Sequence, residues 1–126
     1  MKVGVDLHGV LDTNPEFFKA FIDTLMSQGH EVHIVSGCKA SDMLKFLQKH
    51  KIKYDFIYSI TTDFLTRTIP LPFKLDKNKN PYFASKDWDK AKAVYCQNYE
   101  LDMMIDDTLL YGKHFKTPFF LFKRMK

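Results

Sequence analysis

Lys2-Val3-Gly4-Val5-Asp6-Leu7-His8-Gly9-Val10-Leu11-Asp12 opens the chain with a short apolar run that stops at an acid and turns at a glycine. Residues 2–6 read as a β-strand, and Gly9 marks a tight turn after it. Asn14-Pro15-Glu16 then starts a helix, with Asn as N-cap, Pro in the first helical position and Glu at the positive end of the dipole. Phe17, Phe18, Phe21, Ile22, Leu25 and Met26 recur at helical spacing as one apolar face, and Gly29 closes the helix.

Working outward, Glu31–Val35 reads as a second strand and ends in Ser36-Gly37. A second helix starts near Ser41 and carries Met43, Leu44, Phe46 and Leu47. Tyr54–Ile60 reads as a third strand, rich in aromatic residues and Ile. Thr61 to Lys86, with Pro70, Pro72, Pro81 and the polar run 76–80, is expected to be a long irregular loop. Asp87–Asn98 is a third helix with Trp88, Ala91 and Tyr95 inward, Leu101–Ile105 a fourth strand ending in Asp106-Asp107, and Pro118–Phe122 a fifth strand. Alternation of strand and helix, with apolar rather than alternating strands, predicts an α/β fold: a three-layer sandwich with a mostly parallel five-stranded Rossmann-like sheet.

At 126 residues, the chain is long enough for one domain with a core that needs no disulfide or metal staple. Hydrophobic residues make up 45% and charged residues 27%, which excludes a disordered or collagen-like chain. Cys38 and Cys96 form no framework and read as free thiols of a cytoplasmic protein. The first residues lack the apolar core of a signal peptide, and no run approaches the ~18 residues of a membrane span, so no membrane partner is expected. Lys and Arg (19) exceed Asp and Glu (15), and this surplus hints at an anionic partner.

In a parallel sheet, ligands sit at the carboxyl ends of the strands. Those ends carry Asp6, Ser36-Gly37 and Asp106-Asp107. Carboxylates from separate strands repel unless one takes a proton or a cation joins them. Mg²⁺ is a hard cation that accepts carboxylate oxygens. A hydroxyl with backbone N–H groups at Ser36-Gly37, leading into a helix, can hold phosphate oxygens. The combination asks for a phosphorylated ligand and Mg²⁺.

Asp-x-x-Gly-Val-Leu-Asp (6–12), Ser-Gly (36–37) and Asp-Asp (106–107) resemble, in this order, motifs I, II and IV of the haloacid dehalogenase (HAD)-like hydrolases. The resemblance spans Asp6 to Thr108 and implies a Mg²⁺-dependent phosphohydrolase. It implies Asp6 as the nucleophile that becomes an aspartyl-phosphate, Ser36 as a phosphoryl-binding hydroxyl, and Asp106 with Asp107 as metal ligands beside Asp6. Gly9 and Gly37 join Ser36 around the phosphate. The motif III lysine falls on the third helix, which offers Lys86, Lys90 and Lys92; Lys90 and Lys92 are the two candidates in reach.

His8 departs from the family pattern, which has a second Asp there as general acid and base. Imidazole can transfer protons near neutrality, and its main-chain carbonyl can still face the metal, so His8 joins both the catalytic and the metal set. Alternatively, the exchange leaves a phosphate- or protein-binding module with little turnover. Asp12 reads as a loop acid, and Cys38 as inert beside the carboxylates. The resemblance further implies a capless, open site, since neither inter-motif segment is long enough for a cap domain. The 61–86 segment, with Arg67, Lys74, Lys77 and Lys79, is either a partial lid or a solvated connector. The start of the chain is similar to nucleotidase-type members, so a nucleotide or a nucleic-acid terminal phosphate is the favoured substrate class.

Overall fold

The computed structural model describes residues 1–67 and 71–123; Pro70, Arg124 and Lys126 therefore lie outside the described residues. β1 (Lys2–Val5), β2 (Glu31–Ser36), β3 (Phe56–Ser59), β6 (Met103–Asp106) and β7 (Phe119–Leu121) form one sheet in the order β3-β2-β1-β6-β7. All four pairings in it are parallel. Helices cover the sheet, so β1 and β2 are buried along almost their whole length, as their unbroken apolar runs require. The expected α/β class and five-stranded parallel sheet are present.

α1 (Pro15–Ser27) begins where the sequence indicates, with the Asn14 side chain accepting the Phe17 N–H at 3.1 Å. It ends at Gly29, whose φ of +84° suits glycine. Its inner face is Phe18 and Ile22, which pack with Val3, Val5, Leu7, Val32 and Ile34. Phe17, expected on that face, is 54% exposed: it lies about 100° around the helix from Phe18, which takes the inward position. α2 (Ala40–Lys49) adds Met43 and Leu47 to the same core.

Among the described residues, the 61–86 segment is not the irregular loop expected. Ser59 ends β3 and caps α3 (Ile60–Thr66), its hydroxyl accepting the Thr62 N–H at 3.0 Å. β4 (Phe73–Leu75) and β5 (Pro81–Phe83) then form an antiparallel hairpin outside the main sheet. Phe83 anchors it against Phe64 and Trp88, in a second core with Ile60 and Ala91. α4 (Ser85–Asn98) starts two residues earlier than expected. A four-residue helix, α5 (Leu109–Gly112), precedes β7.

The chain builds the sheet outward from β1 to β3, then crosses to β6 on the other side of β1. The crevice where strand order reverses therefore lies between the ends of β1 and β6. Asp6 follows β1 directly and Asp106 ends β6, so the topology sets these two acids side by side. No described helix is long and apolar enough to cross a membrane.

Candidate functional site

Asp6 is fixed by its own backbone: its N–H donates to the Ile105 carbonyl at 2.9 Å, extending the β1–β6 ladder by one residue. Its side chain is buried, as are those of Asp106 and Lys92. Lys92 reaches from α4 and donates to Asp106 Oδ2 at 2.7 Å, with Asp6 Oδ1 at 3.0 Å. The Leu7 N–H also donates to Asp6 Oδ1, at 2.8 Å. Both contacts fall on one oxygen, so Asp6 Oδ2 takes no hydrogen bond among the described residues. Asp106 Oδ1 accepts the Thr108 N–H at 3.0 Å, and Asp107 Oδ1 accepts the Thr108 hydroxyl at 3.2 Å.

One carboxylate oxygen from each of Asp6, Asp106 and Asp107 lies within 4.8 Å of the others. Two of these three acids, Asp6 and Asp106, meet one buried ammonium. Burial pushes the Asp6 carboxyl up to about 7; Lys92 opposes the rise and Asp106 adds to it. For Lys92, burial works against the charge, yet Asp6 and Asp106 outweigh it and hold its pKa above the ordinary value. The cluster carries more negative charge than its own lysine neutralises, and its donors are all hard oxygens. Such a set suits a hard divalent cation held by Asp6, Asp106 and Asp107.

Gly9 turns the chain over this cluster with φ +85°, and a Cβ there would overlap the Asp107 carboxylate. Asp12 closes the turn: its Oδ1 accepts the Gly9 N–H at 2.7 Å, and its Oδ2 lies 3.1 Å from His8 Nδ1. Asp12, read from sequence as a loop acid, thus orients His8. The His8 side chain itself is 67% exposed.

Asp6, His8, Gly9, Ser36, Gly37, Lys92 and Asp107 line one cavity of about 600 Å³. The structure therefore brings together at the strand ends most of the residues singled out by sequence. Ser36 is buried, and its Oγ lies 3.4 Å from the Cys38 N–H it accepts. The 36–38 turn is pinned from the side by the Thr61 hydroxyl on the Gly37 carbonyl (2.6 Å) and by the Ser59 hydroxyl on the Cys38 carbonyl. Burial, then Asp42 and Asp6, raise the Cys38 thiol, against a weaker hydrogen bond from Ser36. It is a poor nucleophile at neutral pH.

Lys90 is not part of this cavity. Two residues along a helix turn the side chain by about 200°, and Lys90 points away from Lys92. It lines a larger groove of about 950 Å³ between α3, α4 and the β2–β3 face. The carboxylates Glu31 and Asp63 there are engaged, Glu31 with His33 (2.6 Å) and Asp63 with Tyr58 (2.7 Å) and Arg67 (3.0 Å). Lys86 is exposed in the first turn of α4. Of the lysines on this helix, Lys92 is the one that meets the acids.

Wall residues that the sequence reading did not assign to the site include Thr61, Trp88, Thr108 and Tyr111. The Trp88 indole N–H donates to the Tyr111 hydroxyl at 3.0 Å, and Lys92 Nζ stands 5.1 Å from the Tyr111 ring centroid. Trp88 was readable, since it sits one turn before Lys92 on the inward stripe; Tyr111 carried no signal. Comparison of the chain with known protein families, with curated proteins and with solved structures found no match in any of the three.

Proposed function

We propose that the protein is a Mg²⁺-dependent phosphohydrolase of the HAD-like type, acting on a phosphomonoester through an aspartyl-phosphate at Asp6. The observation that carries this reading is the asymmetry of the Asp6 carboxylate. Oδ1 is held by Lys92 and the Leu7 N–H, while Oδ2 takes no hydrogen bond, which is what an attacking oxygen requires. Oδ2 attacks phosphorus and the bond to the leaving oxygen breaks. His8 gives a proton to that oxygen, with Asp12 holding the ring. Water then attacks the phosphoryl group, His8 takes its proton, and the bond to Asp6 breaks to give inorganic phosphate.

Ser36 and the Gly37 and Gly9 backbone stand around the same cavity and would hold phosphoryl oxygens. Lys92 keeps a positive charge beside Asp6 throughout. Mg²⁺, held by Asp6, Asp106 and Asp107, would supply charge neutralisation of phosphoryl oxygens against these acids. The favoured substrates are a nucleotide or a nucleic-acid terminal phosphate. The chain carries a formal net charge of +4, in keeping with an anionic substrate.

A second reading is a HAD-like phosphate- or protein-binding module with little turnover. The exposure of His8 favours it, because a well-ordered acid/base is usually more enclosed. Hydrolysis of p-nitrophenyl phosphate and a nucleotide panel with Mg²⁺ separates the two. The phosphohydrolase reading expects turnover that Asp6→Asn abolishes. Turnover that is absent, or unchanged in Asp6→Asn, refutes it.

A further inference from the structure

The β4–β5 hairpin is a short ribbon that ends outside the sheet and stands at the rim of the Asp6 cavity. Asn80 and Pro81 belong to the cavity wall. Phe83 is buried against Phe64 and Trp88, and Trp88 is itself a wall residue, so the hairpin is fastened to the site.

Beyond that anchor, the ribbon exposes what a soluble hairpin usually hides. Phe73 is 46%, Leu75 60% and Tyr82 52% exposed. Lys74 pairs with Tyr82 in register, so a cation and an aromatic ring share one face of the ribbon. Lys77 and Lys79 extend the positive charge around the turn. The single acid of the segment, Asp76, is spent on the turn: its Oδ1 accepts the N–H groups of Asn78 and Asn80, each at 2.9 Å. Three exposed lysines thus face solvent against one acid among residues 73–83, a net charge of +2 for the segment.

We infer that this hairpin is a strand-binding lip for single-stranded nucleic acid, holding the nucleotides next to a terminal phosphate seated in the Asp6 cavity. The inference rests on the phosphohydrolase reading for the terminal phosphate only. The lip needs two chemistries that occur together here: cations for the phosphodiester backbone and an exposed ring, Tyr82, for base stacking. An acidic peptide would use the lysines but has no use for Tyr82, which shares the Lys74 face of the ribbon. A strand of three residues spans about 10 Å, and the ribbon adjoins the cavity through Asn80 and Pro81.

The test uses the full chain carrying Asp6→Asn, which removes turnover, and a ten-nucleotide oligo(dT) with a 5′-phosphate and a 3′-fluorophore. Anisotropy titrations are compared for the intact hairpin, for Lys74→Ala/Lys77→Ala/Lys79→Ala, and for Tyr82→Ala. We expect the triple variant to lower the slope of log affinity against log salt by about 2, near 0.7 per lost phosphate contact. Tyr82→Ala is expected to weaken binding by about tenfold, within the range for loss of one stacked base. No binding by the intact hairpin overturns the inference, as does binding unchanged in both variants. A response to the lysines but not to Tyr82 also overturns it, leaving only a surface charge effect.

The same hairpin variants with Asp6 restored are assayed on p-nitrophenyl phosphate, which is too small to touch the lip. Turnover there with no hairpin-dependent oligonucleotide binding refutes the lip and leaves the phosphohydrolase reading standing. Hairpin-dependent binding without turnover does the reverse.

Discussion

Replacing Lys92 with Met removes the ammonium that meets Asp6 and Asp106, while keeping most of the side chain's length and its apolar stem. The variant leaves two carboxylates buried at 4% and 0% exposure with no cation between them. Breaking a buried charge cluster by deleting one partner costs about 3–5 kcal/mol. For a chain of this size, that corresponds to a fall of roughly 12–20 °C in the unfolding midpoint.

The pH dependence gives the experiment its edge. In the wild type, Asp6 sits near 7 against an ordinary value of 3.8. Its proton-bound form therefore favours the folded state below about pH 4, and that contribution is lost as pH rises through 7. Lys92 holds the Asp6 value down, so in the variant the folded-state value rises further. The variant's deficit relative to wild type is then largest at pH 8, where Lys92 pairs with ionised acids. It shrinks at pH 5, where Asp6 is protonated and needs no partner. Urea unfolding at the two pH values, without divalent ions, measures it. A deficit under about 1 kcal/mol at pH 8, or one equal at both pH values, would refute the assignment of Lys92 as counter-ion of the cluster.

Four further outcomes follow from the structure. Mg²⁺ in hundredfold excess over its dissociation constant is expected to stabilise the wild type by about 2.7 kcal/mol, read as a rise in midpoint. The apparent Mg²⁺ affinity by calorimetry should be weaker at pH 6 than at pH 8, because the ion must displace the Asp6 proton; a flat profile contradicts this. Gly9→Ala places a side chain at φ +85° against Asp107 and is expected to cost about 1–3 kcal/mol in urea unfolding and to weaken Mg²⁺ binding. Asn14→Ala deletes the α1 cap and should cost about 1 kcal/mol with no change in Mg²⁺ affinity, which makes it a control for stability alone.

The strand ends were legible because burial on both faces leaves a simple mark. Lys2–Val5, Glu31–Ser36 and Met103–Asp106 are apolar runs that stop at a polar residue where the sheet stops. Parallel order then brings Asp6, Ser36 and Asp106 to one edge without further information. The segment after β3 was not legible, because Tyr54–Ile60 reads as continuous β-rich sequence. Ser59 breaks it through a side-chain cap, and β-branched Ile60, Thr61 and Thr62 enter a helix against their propensity, since Ile60 and Thr61 are buried there. The β4–β5 hairpin was hidden by its proline and lysines, which score as loop.

The choice between Lys90 and Lys92 was open from spacing to the sheet edge but is decided by helix stripes. Lys92 falls one turn from Trp88 and one turn from Cys96, both facing inward, whereas Lys90 shares its stripe with exposed Lys86 and half-exposed Val94. The pairing of Asp12 with His8 is an i, i+4 contact across a turn, and no helical pattern announced it.

The central claim is that Asp6 Oδ2 forms a bond to phosphorus. A crystal structure of the protein soaked with Mg²⁺ and BeF₃⁻, a phosphoryl mimic, tests it most directly. The account predicts beryllium bonded to Asp6 Oδ2, Lys92 still on Oδ1, the metal among Asp6, Asp106 and Asp107, and fluorines facing Ser36 and the Gly37 backbone. BeF₃⁻ absent from Asp6 under saturating conditions, or bound with both Asp6 oxygens engaged elsewhere, would contradict it.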